Sequence, residues 1–129
     1  MIRVPAHVII SWVFLILIGI VFIYSYFFYP DSHPIDCLIK SRTGKDCSSC
    51  GFSRAFSYYT HFKIEDGQKF NPLSWPVFLF VVIQFIMRLI VVLNFHFAKK
   101  NLSPALVKSD IFLSICGFLL AFLPLLFKT

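Results

Sequence analysis

Charge is scarce in this sequence. Of its 129 residues, 14% are Asp, Glu, Lys or Arg, where ordinary soluble domains carry roughly 25%. Carboxylates are the rarest, with 6 Asp and Glu against 12 Lys and Arg. The sequence has no Gly-rich phosphate loop, no paired carboxylates inside an apolar run, and no Ser, His and Asp set placed for nucleophilic catalysis. No enzyme class therefore has a complete motif behind it. Repeats and low-complexity tracts are absent too, which removes solenoid and disordered readings.

What fills the chain is hydrocarbon. Hydrophobic residues make up 58%, including 17 Phe, and the mean hydropathy is +0.80. A soluble domain of this size leaves much of its surface in water and could not hide so much apolar area. The solvent must be partly lipid. The formal charge of +6 does not point to nucleic acid, because the basic residues sit in connections between apolar runs and form no stripe along a helix. Anionic headgroups and membrane topology account for them.

The first apolar run covers 6–29. At 1.5 Å per residue such a run reaches roughly 36 Å, enough to cross a ~30 Å hydrocarbon core. Trp12 lies toward one end, with Tyr24, Tyr26 and Tyr29 at the other, as interfacial aromatics do, and Pro30 closes the segment. A cleaved leader would be shorter and would end at small residues, so this run reads as an uncleaved span. A second span covers 73–98. Asn71 and Pro72 mark its start, the Asn as a helix cap and the Pro at the first helical position. Within it Arg88 is the one charge well inside an apolar run, and a snorkelling or packing role is expected of it. A third span covers 109–127, interrupted by Ser114, Cys116, Gly117 and Pro124. His7 and His96, near span ends, read as interface residues.

Residues 30–71 form a long connection that gathers the chemistry of the chain. Cys37, Cys47 and Cys50 are spaced C-x9-C-x2-C, while Cys116 lies apart as a small packing residue. Phe52, Ala55, Phe56, Tyr59 and Phe62 recur at helical spacing, which predicts an amphipathic helix over about 51–62, lying in the headgroup zone or across the span ends. Glu65-Asp66-Gly67 is expected to end it. Three loop cysteines cannot all pair among themselves, so one is free, binds metal or meets a partner thiol. Cys47 and Cys50 just before a helix start, near Lys45 and Arg54, have the setting that favours thiolate.

Orientation is divided. A cytoplasmic loop is favoured by counting Lys40, Arg42, Lys45, Arg54, Lys63, Lys69 and Lys128 against Arg3, Lys99, Lys100 and Lys108. The short Lys99–Lys100 turn, with its lysines concentrated at the span ends, and Arg3 before the first span favour the reverse. The expectation is a cytoplasmic N-terminus and an extracytoplasmic cysteine loop.

The run Cys37…Thr43-Gly44-x-x-Cys47-x-x-Cys50-Gly51-x-Ser53-Arg54-Ala55, followed by Asn71-Pro72-Leu73 ahead of an apolar helix, resembles domain-of-unknown-function family 2752, small bacterial membrane proteins. Leu38 and Ser48 stand where that family often has Pro. The resemblance implies the membrane architecture and marks the loop, with Thr43, Gly44, Gly51, Arg54, Asn71 and Pro72 as its structuring residues; it implies no activity and no cofactor.

The expected protein is all-α, with three transmembrane helices and a cysteine loop with a short amphipathic helix between the first two, in a single membrane domain over 1–129. Its first functional reading is a non-enzymatic subunit of a membrane complex, with a cysteine-stabilised loop docking on a membrane-protein partner or on a second copy. Thiol–disulfide exchange at Cys47 and Cys50, with Cys37 as resolving thiol, is an alternative. So is a Zn²⁺ site on Cys37, Cys47 and Cys50, with His33 or His61 as the fourth ligand.

Overall fold

Lipid offers the backbone no hydrogen-bond partners, so apolar runs of this length satisfy their own amides as helices. A computed structural model describes residues 5–28, 38–44, 51–98 and 103–127, and has six helices and no strand among them. The long helices are α1, Ala6–Phe27, α5, Ser74–Phe97, and α6, Pro104–Phe127. Each is long and apolar enough to cross a membrane, and the protein is an all-α integral membrane protein. The short helices are α2, Leu38–Thr43, α3, Phe52–Thr60, and α4, Ile64–Phe70. The sequence predicts neither α2 nor α4 as a separate helix.

Helix α5 is central, packing on α1 along one side and on α6 along the other. Aromatic edges make both seams. Phe22 of α1 meets Phe78 and Phe85 of α5 edge-on at 6.0 and 5.7 Å. On the other side Phe80 meets Phe122 of α6 at 6.0 Å. Gly117 admits the Phe80 ring, since a Cβ there would lie 3.0 Å from it. The outward faces of α1 and α6 are left to lipid, with Leu120 76% exposed.

Helices α3 and α4 fold across the end where α1 finishes and α5 begins. Ala55, Phe56 and Tyr59 of α3 are buried with Val77 of α5 and Ala121 of α6, and Phe78 packs against them. The Thr60 hydroxyl donates to the Ser25 carbonyl of α1 at 3.2 Å, and His61 stacks on Tyr26 at 5.2 Å. Glu65-Asp66-Gly67 does not end the amphipathic helix. The chain turns earlier, through Phe62 at φ +61°, and Glu65, Asp66 and Gly67 then lie inside α4. Gly67 acts there by its size: a Cβ would lie 2.4 Å from the Tyr59 ring.

Two further expectations need correction. Pro72 is not the first helical residue, because α5 starts at Ser74. Asn71 instead makes a side-chain turn, its Oδ1 accepting from the Leu73 N–H at 3.0 Å. The third helix starts at Pro104, a residue suited to a first turn because its missing N–H would have no partner there. Asp110, at the edge of the predicted span, therefore lies about two turns inside α6 and is buried, and Arg88 is not the one charge inside an apolar run.

Candidate functional site

The residues singled out in the sequence divide between two places. Cys37, Cys47, Cys50 and His33 lie outside the described residues. Around them, Thr43 closes α2, and Gly44 takes a left-handed φ of +67° just after it. Gly51 stands before α3 at φ +87°, where a side chain would be strained and would also press on the Phe70 carbonyl at 3.3 Å. Arg54 is exposed on α3, Asn71 is buried and Pro72 is exposed. His61 belongs to the contact with α1, its ring Nδ1 lying 2.7 Å from the Ser57 carbonyl. Cys116 is half-buried on α6 with a free thiol. Among the described residues no group of three His, Cys, Asp or Glu is arranged to hold a metal.

The opposite end of the helices carries a polar cluster. Arg88 of α5 is its hub, with Nη1 donating to Asp110 Oδ2 of α6 at 2.5 Å. Its Nη2 donates to Gln84 Oε1 and to the Ser114 hydroxyl, both at 3.2 Å. The Gln84 amide in turn donates to Ser114 at 3.1 Å. From α1, Ser11 Oγ lies 3.5 Å from Arg88 Nη1, and the Phe14 ring centroid is 5.6 Å from the guanidinium carbon. His7 Nε2 sits 3.0 Å from Asp110 Oδ2. That is ion-pair distance, but the ring is not aligned as a formed hydrogen bond requires, and Nε2 has no hydrogen-bond partner among the described residues.

Burial sets the energetics. Asp110 is 2% exposed and Arg88 8%, so neither charge has water to lean on. A guanidinium and a carboxylate in such surroundings are tolerable only together, and the neutral dipoles of Gln84, Ser114 and Ser11 occupy remaining donors of the arginine. The satisfaction is incomplete. Asp110 Oδ1 and Arg88 Nε are both buried without a hydrogen-bond partner among the described residues.

At the α3–α4 end the electrostatics are milder. Tyr59 hydrogen-bonds Ser74 at 2.7 Å. Burial pushes the Tyr59 phenol above its ordinary 10.0, while the Ser74 hydroxyl, able to turn and donate to a phenolate, works the other way. On the exposed face of α4, Lys69 donates to Asp66 at 2.8 Å. That bond and charge hold the Asp66 carboxyl below its usual range and raise the Lys69 ammonium, and a pair this exposed adds little to stability.

Sequence reasoning reached Arg88 and missed the cluster. The available signal was a repeated spacing: His7 and Ser11, Gln84 and Arg88, Asp110 and Ser114 each stand four apart, one pair per long helix. Four residues apart is one helical turn, so each pair shares a face. Polar pairs on one face of three membrane helices have each other as the natural partners.

No curated protein and no solved structure matches this chain. Residues 37–85, from Cys37 across α3 and α4 into α5, match the family model described as protein of unknown function (DUF2752), the family that the loop motifs resemble.

Proposed function

We propose that this protein is a non-enzymatic subunit of a membrane complex, and that the loop bearing Cys37, Cys47 and Cys50 is its docking surface for a membrane-protein partner or a second copy. In this reading the loop faces the extracytoplasmic side of a bacterial inner membrane, where thiols can be oxidised and a disulfide can hold its shape. The observation that carries the reading is the base on which the loop stands. Helix α3 is fixed by Ala55, Phe56 and Tyr59 packed on α5, and the left-handed Gly51 where the loop rejoins α3 leans on the Phe70 backbone. Residues held on a packed helix such as α3 lose less conformational freedom on binding than unanchored ones. Ser53 and Arg54 meanwhile stand exposed at the foot of the loop.

Photo-crosslinking side chains placed at Ser53 and Arg54, with Leu120 as a lipid-facing comparison, test this in native membranes. The expected result is one crosslinked protein species of defined mass from positions 53 and 54, lost with Cys47→Ser or Cys50→Ser, and lipid adducts alone from position 120. Lipid adducts alone from all three positions would overturn the reading. Oxidation of a model dithiol by the chain in lipid nanodiscs with a quinone present, abolished by Cys47→Ser, would replace it with thiol–disulfide exchange.

A further inference from the structure

A buried Arg–Asp pair is electrically complete, yet this one has a third ionisable neighbour and a spare acceptor. Asp110 contributes Oδ2 to Arg88, and the same oxygen lies 3.0 Å from His7 Nε2. Asp110 Oδ1, buried and without a hydrogen-bond partner among the described residues, is an acceptor left over. The residue that could fill it is not sealed in: the His7 side chain is 19% exposed, and it stands in the first turn of α1. Asp110 and Arg88 lie deeper, Asp110 about two turns in from Pro104.

The charged and titratable groups facing this point can be counted from each helix. Among the described residues they are His7 on α1, Arg88 on α5 and Asp110 on α6, with Ser11, Gln84 and Ser114 as neutral partners. Lys108, two residues before Asp110, is exposed. With His7 neutral the three groups sum to zero. With His7 protonated they sum to +1, and one carboxylate with two oxygens faces two cations.

We propose that His7, Asp110 and Arg88 form a proton-binding site, loaded from the side of the membrane on which α1 begins. One proton from that aqueous phase adds to the neutral imidazole of His7. The resulting imidazolium is held by the Asp110 carboxylate, whose free Oδ1 accepts the second cation's N–H while Oδ2 keeps Arg88. No covalent bond other than the new N–H forms, none breaks within the protein, and nothing is oxidised or reduced. Imidazole suits the role because it is the side chain that ordinarily changes charge between about pH 5 and 8. The contact also spans helices: His7 reaches from α1 to α6, so the proton's arrival tightens α1 against α6.

The test uses the full chain in lipid nanodiscs with its histidine ring nitrogens labelled and followed by NMR from pH 5 to 8. The His7 signal is identified by its loss in His7→Gln. The expected result is that His7 titrates, and that its midpoint falls by about one pH unit or more in Asp110→Asn, a tenfold or greater loss of proton affinity. Because Asp110→Asn strands the Arg88 charge and can unfold the chain, Asp110→Asn/Arg88→Gln is measured beside it. This neutral pair keeps the packing, and in it His7 loses its carboxylate without facing an uncompensated cation. A His7 signal that stays in one charge state from pH 5 to 8 would overturn the proposal. So would a midpoint within a few tenths of a unit of wild type in a folded Asp110→Asn variant.

Discussion

The two ends of this helix assembly are held by opposite means. Where α3 and α4 fold across, the contacts are mainly rings and small residues, with two neutral hydrogen bonds: Phe56, Tyr59 and Phe78 pack around Ala55 and Val77, and Gly67 lies under the Tyr59 ring. At the other end the contacts are charges and dipoles around Arg88. Lipid explains the division. Between transmembrane helices apolar burial has little drive, because hydrocarbon outside is as apolar as hydrocarbon inside, so shape and hydrogen bonding decide association. A helix folded over at the membrane boundary still has water on its far side, and there an amphipathic face such as that of α3 can be driven down onto the span ends.

The contrast can be broken at the charged end first, where the largest effect is expected. Asp110→Asn or Arg88→Gln alone leaves one buried ion without its partner and should destabilise the assembly by about 3–5 kcal/mol. Replacing both, as in Arg88→Met with Asp110→Leu, should cost much less or nothing, because no charge is stranded. Reversible unfolding from lipid nanodiscs reads both quantities. Equal losses in single and double variants would mean that the pair is not what holds α6 on α5.

At the aromatic end a smaller loss is expected from one methyl group. Gly67→Ala drives a Cβ into the Tyr59 ring, and overpacking of this kind costs typically about 1–3 kcal/mol. The damage should be local, seen as faster amide exchange in α3 and α4 with α5 and α6 unchanged. Tyr59→Leu in the same chain should relieve it.

The smallest effect concerns pH. The folded state holds the Tyr59 proton more tightly than the unfolded chain does. Its contribution is therefore whole below the ordinary phenol value of 10.0 and is lost as pH rises from there through the folded value. Alkaline titration of phenolate absorbance should show one late step that Tyr59→Phe removes. The hydrogen bond lost in that variant is worth about 0.5–1.5 kcal/mol.

Legibility followed the range of the interaction. Three apolar runs and an amphipathic segment from Phe52 to Tyr59 are local patterns, and a single sequence displays them. The third span, read over 109–127, puts Asp110 at its edge, and only the contact with Arg88 reveals that this carboxylate is buried between helices. Gly67 misled for a related reason. Next to Glu65 and Asp66 it reads as a stop signal, while its purpose is room for a ring eight positions earlier in the chain. For the cysteine loop, the spacing of Cys37, Cys47 and Cys50 points to a candidate site, and those residues lie outside the described structure.

The sequence by itself determined that this chain lives in lipid and crosses it as helices, since hydrocarbon forbids any open backbone and the apolar runs have the length to span. It also determined which faces carry polar side chains, through the four-residue spacing of His7 with Ser11, Gln84 with Arg88, and Asp110 with Ser114. Which of those faces meet was decided only by the tertiary structure. Putting α5 between α1 and α6 gives Arg88 a carboxylate from one neighbour and brings an imidazole from the other. A charge in hydrocarbon is defined by its partner, and that partner stands 22 residues away, at a separation that no local pattern encodes.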